Sequence, residues 1–145
     1  MTIEDRLRER LSKVERLVAG AATDGERDAA AAAVERLKAK LAASVPRDPP
    51  VEIRFAMPDA WSVKLFVALC RRYGLQPYRY PRQRRTTVMV RAPRALFDAA
   101  VWQPFSALHA DLLGYFEETT ERLIQEAVHG DTADAATVPE ALAPH

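Results

Sequence analysis

The sequence predicts an α+β fold, and three features of the chain carry that prediction. Apolar residues recur at helical spacing over residues 1–43, "SVPRDPP" breaks the pattern at Ser44–Pro50, and "VEIRFAMP" then alternates like a half-buried strand. The expected organisation is an antiparallel helical hairpin over residues 1–43, a Pro-rich connector over 44–50, an α+β core over 51–129 and a mobile tail over 130–145. The core should run β-α-β-β-α, with a three-stranded sheet and a long, Pro-kinked C-terminal helix.

In the hairpin, Ile3, Leu7, Leu11, Val14 and Val18 mark one stripe of a first helix that Gly20 can end. A second helix should start at a capping box formed by Thr23 and Glu26, with Val34, Leu37 and Leu41 on its apolar face. The alanine run Ala29–Ala33 lets another helix approach closely. After the prolines, Val51, Ile53 and Phe55 alternate with Glu52 and Arg54. Asp59 can then cap a helix, "AWSVKLFVALCRRYG", that ends at Gly74 and is apolar over most of its surface. Lys64 and Arg71 share its solvent edge, with Arg72 nearby.

"LQPYRYP" and "TTVMVRAP" are both β-prone, and "RQRR" between them predicts the connection of an antiparallel hairpin. From Pro93 the spacing of Phe97, Val101, Phe105, Leu108, Leu112, Phe116, Leu123 and Ile124 predicts a helix to about Val128, kinked by Pro104 near Trp102. Beyond the kink it would be roughly 36 Å long at 1.5 Å per residue. That exceeds what a small sheet covers, so part of it should pack on the hairpin or on another subunit.

Composition narrows the class. A chain of 145 residues, 48% hydrophobic, can bury one sizeable core. It contains no run of about 18 apolar residues, and the start "MTIEDRLRER" is charged with no apolar segment behind it, so a cytoplasmic protein with no membrane partner is expected. Cys70 is the single cysteine, which excludes an internal disulfide and a cysteine metal cage; its apolar neighbours predict a buried structural thiol.

Net charge of +1 conceals a segregation. Residues 1–59 hold 11 basic and 11 acidic side chains, residues 60–97 hold nine basic and none acidic, and residues 98–145 hold one basic and nine acidic. A block of like charge attracts and steers polyanions, whereas interspersed charges cancel within a Debye length. Either the basic block faces a polyanion or the acidic C-terminal helix folds over it. The block centres on "YRYPRQRRTTVMVRAPR", Tyr78–Arg94, where Arg82, Arg84 and Arg85 would crowd a hairpin tip and Arg79 and Arg91 project from its arms.

No catalytic constellation emerges. His109 lies two residues before Asp111 on one helix, a spacing that points the side chains apart, so neither a metal pair nor a triad orienter is suggested. The serines lack a nucleophile-elbow context and no glycine loop cradles phosphate. Glu117, Glu118 and Glu121 fit an exposed helix face. The expectation is a non-enzyme without cofactor or metal.

The stretch "LSKVERLVAGAATDGERDAAAAAVERLKAKL", followed by "PDAWSVKLFVALCRRYG", is similar to a bacterial domain family of unknown function. That family opens with an Ala-rich helical hairpin and continues with a Trp-led helix and a β-hairpin. The chain departs from it at Leu37-Lys38, where the family often carries Leu-Met. The resemblance implies architecture and a bacterial source, and brings no site residues.

Two functions fit the charge pattern. In one, the chain binds DNA or RNA largely independently of sequence through Arg79, Arg82, Arg84, Arg85, Arg91, Arg94, Lys64 and Arg71, with Tyr78 and Tyr80 stacking on unpaired bases if they face the same way. Tyrosines at alternate positions also fit a core face. In the other, the chain is an interaction module or homo-oligomer subunit in which the basic hairpin docks an acidic helix and the long C-terminal helix supplies an apolar interface.

Overall fold

In a computed structural model, which describes residues 1–20 and 26–140, helix α1 (Ile3–Ala19) begins at Thr2. The Thr2 hydroxyl accepts from the Asp5 N–H at 3.1 Å, and the Asp5 carboxylate accepts from the Thr2 N–H at 3.3 Å. This reciprocal cap satisfies donors that a helix start leaves open. Gly20, at φ 71°, closes the helix in the left-handed conformation. Helix α2 (Glu26–Ser44) buries Ala33, Leu37 and Leu41 on one face. The capping box expected at Thr23 lies outside the described residues.

The two helices pack on each other, yet Lys40 donates to the Val18 and Ala19 carbonyls at 3.3 and 2.9 Å. Its ammonium thus caps the C-terminus of α1, where the helix dipole favours a cation. The end of α1 therefore meets the later part of α2. In the tight antiparallel hairpin expected from the sequence, Ala19 would lie beside the first turn of α2 instead.

Strands β1 (Val51–Ala56) and β2 (Thr87–Ala92) pair antiparallel from Val51↔Ala92 to Ala56↔Thr87. The sheet has two strands, not the three expected. Residues 75–81 contribute one isolated bridge, Tyr78↔Met89, for reasons that belong to the loop described below. Helix α3 (Ala60–Arg72) starts at Asp59, whose carboxylate accepts from the Ser62 N–H at 2.8 Å. It packs on the inner face of the sheet: Phe66, Leu69 and Cys70 join Ile53, Val88 and Val90 in one core, together with Leu37 and Leu41 of α2. Burial pushes the Cys70 thiol up to about 12.

The C-terminal helical run comprises α4 (Arg94–Phe97), a π turn (Asp98–Trp102), α5 (Gln103–Leu123) and a second π turn (Ile124–Val128). The first π turn stands directly ahead of Pro104. A proline cannot donate to the carbonyl four residues back and crowds it, so the wider turn forms where the regular ladder cannot. Phe97, Val101, Phe105 and Leu108 are buried, and Phe55 sits 4.7 Å from Phe66 and 5.3 Å from both Phe97 and Trp102.

The chain divides into two compact units, Met1–Leu112 and Leu113–His145. The core lies in the first. In the second, the helix closes with His129 at φ 56° and the Gly130 N–H donating to the Ile124 carbonyl at 3.0 Å. Residues 131–139 are exposed and without regular secondary structure.

Candidate nucleic-acid interface

Gly74, at φ 83°, turns the chain out of α3. Pro77 has no N–H to give a ladder. Tyr78 then exchanges two backbone hydrogen bonds with Met89, at 2.9 and 2.8 Å. The next hydrogen-bonded pair of an antiparallel ladder would be Tyr80 with Thr87. It does not form, because side chains take both partners. The Tyr80 N–H donates to the Gln83 carboxamide at 2.8 Å, and the Thr87 carbonyl accepts from the Arg79 Nε at 2.9 Å. The third strand therefore ends after one bridge.

The loop is nonetheless closely tied. The Gln83 N–H donates to the Tyr80 carbonyl at 3.2 Å, closing a turn with Pro81 second and Arg82 third. Arg82 takes φ 74°, the positive value that the third position of a type II turn requires. Arg79 also donates to the Arg85 carbonyl at 2.7 Å, Gln83 reaches the Met89 sulfur at 3.4 Å, and the Thr87 N–H closes on the Arg84 carbonyl at 3.0 Å. Arg82, Arg84 and Arg85 are exposed on this loop, and among the described residues none of them takes part in an ion pair.

Ile53, Val88 and Val90 are buried in the core and Phe55 packs against it, so alternation puts Glu52, Arg54, Met89 and Arg91 on the outer face. Glu52 and Arg91 stand directly opposite in the register. The hydroxyls of Tyr78 and Tyr80 both donate to one oxygen of Glu52, Oε2. Tyr78 is bridged to one edge of β2 while Glu52 lies on β1, across the other edge, so the Tyr78 side chain spans the outer surface of β2. That cover explains why Met89 is only 5% exposed on the outer face. The two rings are 5.5 Å apart with planes 74° from parallel, and Tyr80 keeps 47% of its surface exposed. The hydrogen bonds from Tyr78 and Tyr80, and then the charge of Arg91, lower the Glu52 pKa. In return, bonding to Glu52 and then to Tyr78 pushes the Tyr80 phenol up to about 12, and bonding to Glu52 raises Tyr78 as well.

The structure thus brings Tyr78, Tyr80 and Arg91 together on one face, with Arg82, Arg84 and Arg85 on the adjoining loop. Arg79 is spent on main-chain carbonyls of that loop. Lys64 and Arg71 are exposed on α3, which covers the inner face, and so stand apart from the outer one. Arg94 pairs with Asp98 at 3.6 Å beside an open groove of about 760 Å³ lined in part by Arg54, Phe55 and Trp102. Arg54, absent from the set expected from the sequence, belongs to the outer face; its alternation with Ile53 and Phe55 carried that signal.

A second arrangement leaves no trace in the sequence pattern. Ser62 Oγ lies 2.9 Å from His109 Nε2, and the imidazole is stacked on Trp61 at 5.0 Å and tilted against Phe105 at 5.2 Å. Ser62 is fully buried, and Asp111 of the same helix as His109 pairs with Arg10 at 3.6 Å. The serine–histidine pair joins α3 to α5 and presents no open oxygen to a substrate. Among the described residues no group of three metal-ligating side chains occurs, and no helix is long and apolar enough to cross a membrane. Compared with known proteins, the chain matches no family model, no curated protein and no solved structure.

Proposed function

We propose that this protein is a non-catalytic nucleic-acid-binding protein that grips the phosphate backbone largely without regard to sequence. The observation that carries the reading is the loop bearing Arg82, Arg84 and Arg85: three exposed guanidinium groups without ionic partners among the described residues, displayed on a turn that six hydrogen bonds hold in shape. Guanidinium groups free of carboxylates bind phosphate without first breaking an ion pair. Arg54 and Arg91 extend the same field over the outer face of the sheet. Few side chains there suit base-edge readout, since Gln83 is already committed to Tyr80 and Met89.

The test is fluorescence anisotropy with labelled DNA and RNA at several salt concentrations. Binding should fall steeply with salt and vary little with sequence. The triple substitution R82A/R84A/R85A should weaken it and lower the magnitude of the log–log salt slope by up to about 3, at roughly 0.9 for each duplex phosphate that is no longer neutralised. Unchanged binding in that variant would refute the reading.

A specific observation favours the second reading, a subunit of a homo-oligomer. Leu113, Phe116, Leu123 and Val128 are exposed, and Leu113, Phe116, Thr120, Leu123 and Ala127 follow the three-and-four spacing of a coiled-coil seam. On that reading Leu123→Glu converts a dimer to a monomer in light scattering while nucleic-acid binding is absent.

A further inference from the structure

We infer that the outer face of the sheet is a single-strand platform, on which an unpaired base stacks against the Tyr80 ring while Arg54, Arg91 and the loop arginines hold the flanking phosphates. This inference deepens the proposed function and rests on it, by naming the class of nucleic acid.

The geometry has three parts. Both phenols reach the same carboxylate oxygen of Glu52, so the two rings are fixed on one face rather than free to rotate. Their planes lie 74° apart at 5.5 Å, so a base stacked on one ring meets the other edge-on, in an L-shaped corner for a single base. Tyr80 is about half exposed, whereas a tyrosine placed for core packing would lose most of its surface.

Charge completes the arrangement. Of the four outward-facing strand residues, Glu52, Arg54, Met89 and Arg91, Glu52 is the one acid; it accepts from two phenols and stands opposite Arg91, so with Arg54 these strand positions keep a net positive charge. An approaching phosphate therefore meets Arg54 and Arg91. A duplex keeps its bases stacked within the helix and cannot fill the corner; a single strand can, whatever its sequence, because every base has a π-face. Glu52 acts as a positioning residue for the rings and touches no ligand.

The experiment compares the intact chain and Tyr80→Ala on four probes of equal length: mixed-sequence single-stranded DNA, the corresponding RNA, a single strand of abasic sugar-phosphate, and duplex DNA. The base-bearing single strands should bind best. Tyr80→Ala should weaken them about tenfold, the worth of one base–aromatic stack, and leave the abasic and duplex probes unchanged. The abasic probe tests the intact chain, so the outcome does not depend on the variant's folding, and Tyr80→Phe, which keeps the ring, should retain most of the affinity. The DNA and RNA arms tell which sugar the face prefers. If R82A/R84A/R85A weakens every probe while Tyr80→Ala weakens none, or if abasic and base-bearing strands bind alike, the platform is wrong and the phosphate-binding function stands. Binding to no probe overturns both.

Discussion

Glu15 of α1 and Arg72 of α3 form a two-point ion pair, with Nε to Oε2 at 2.7 Å and Nη2 to Oε1 at 3.0 Å, and the Glu15 side chain has no exposed surface at all. The Tyr73 hydroxyl is buried beside them without a hydrogen-bond partner among the described residues; burial and then the Glu15 charge raise its pKa strongly. The first helix is thereby fastened to the core by charge as well as by apolar contact.

Removing Arg72 strands a buried carboxylate, and breaking a buried pair from one side costs about 3–5 kcal/mol. Arg72 is 39% exposed, so water can partly replace it and the destabilisation in Arg72→Ala should sit near the low end of that range. Urea unfolding measures it. The double change Glu15→Leu with Arg72→Leu should recover much of the stability, because neither charge is then left alone.

Tyr80 should titrate at about 12 rather than at its ordinary 10, followed by phenolate absorbance. A pKa raised by folding stabilises the protein fully below the unfolded value of 10, and that contribution disappears as pH climbs through about 12. For Glu52 the sign reverses: its lowered pKa stabilises above the ordinary 4.5 and is lost as pH falls below it. Glu52→Gln should bring Tyr80 back toward 10 and leave Tyr73 late, since burial holds Tyr73.

Arg82 occupies a left-handed backbone conformation, which strains a residue with a Cβ by about 1 kcal/mol. Arg82→Gly should therefore raise thermal stability, by roughly 3 °C for a chain of this size. On the proposed function, the same change should also weaken nucleic-acid binding by removing one phosphate partner. A stabilised variant that binds less well would tie the strain at Arg82 to the proposed function.

Cys70 is fully buried and its thiol is pushed up to about 12. Maleimide should not label it in the native protein at neutral pH and should label it completely in urea, because the thiolate is the reactive form. Native labelling at the rate of a free thiol would mean that the core around α3 opens readily.

Helix positions, both strands of the sheet and the position of the arginine loop are legible in the sequence, because the spacing of Ile3 to Val18, the alternation around Ile53 and the acid-free run to Arg94 record local physics. The third strand is not. Tyr78 and Tyr80 have strand-forming side chains, but the contest for the Tyr80 N–H and the Thr87 carbonyl is decided by Gln83 and Arg79, whose reach depends on the folded loop. Glu15 poses the same difficulty: on α1 it reads as one more surface charge, and only α3, 57 residues later, supplies the partner that lets it be buried. The shared anchor of the two tyrosines on Glu52 likewise joins residues 26 and 28 positions apart, beyond any periodic pattern.

Because Arg79 and Gln83 replace main-chain ladder bonds, the shape of the arginine loop is written in side chains. In a regular strand almost any residue keeps its neighbour paired, since the backbone does the pairing. Here two positions on the surface of the protein govern where three others point. Among variants of this chain, residues 79 and 83 should thus tolerate replacement as poorly as core positions do, although their location alone would mark them as freely variable.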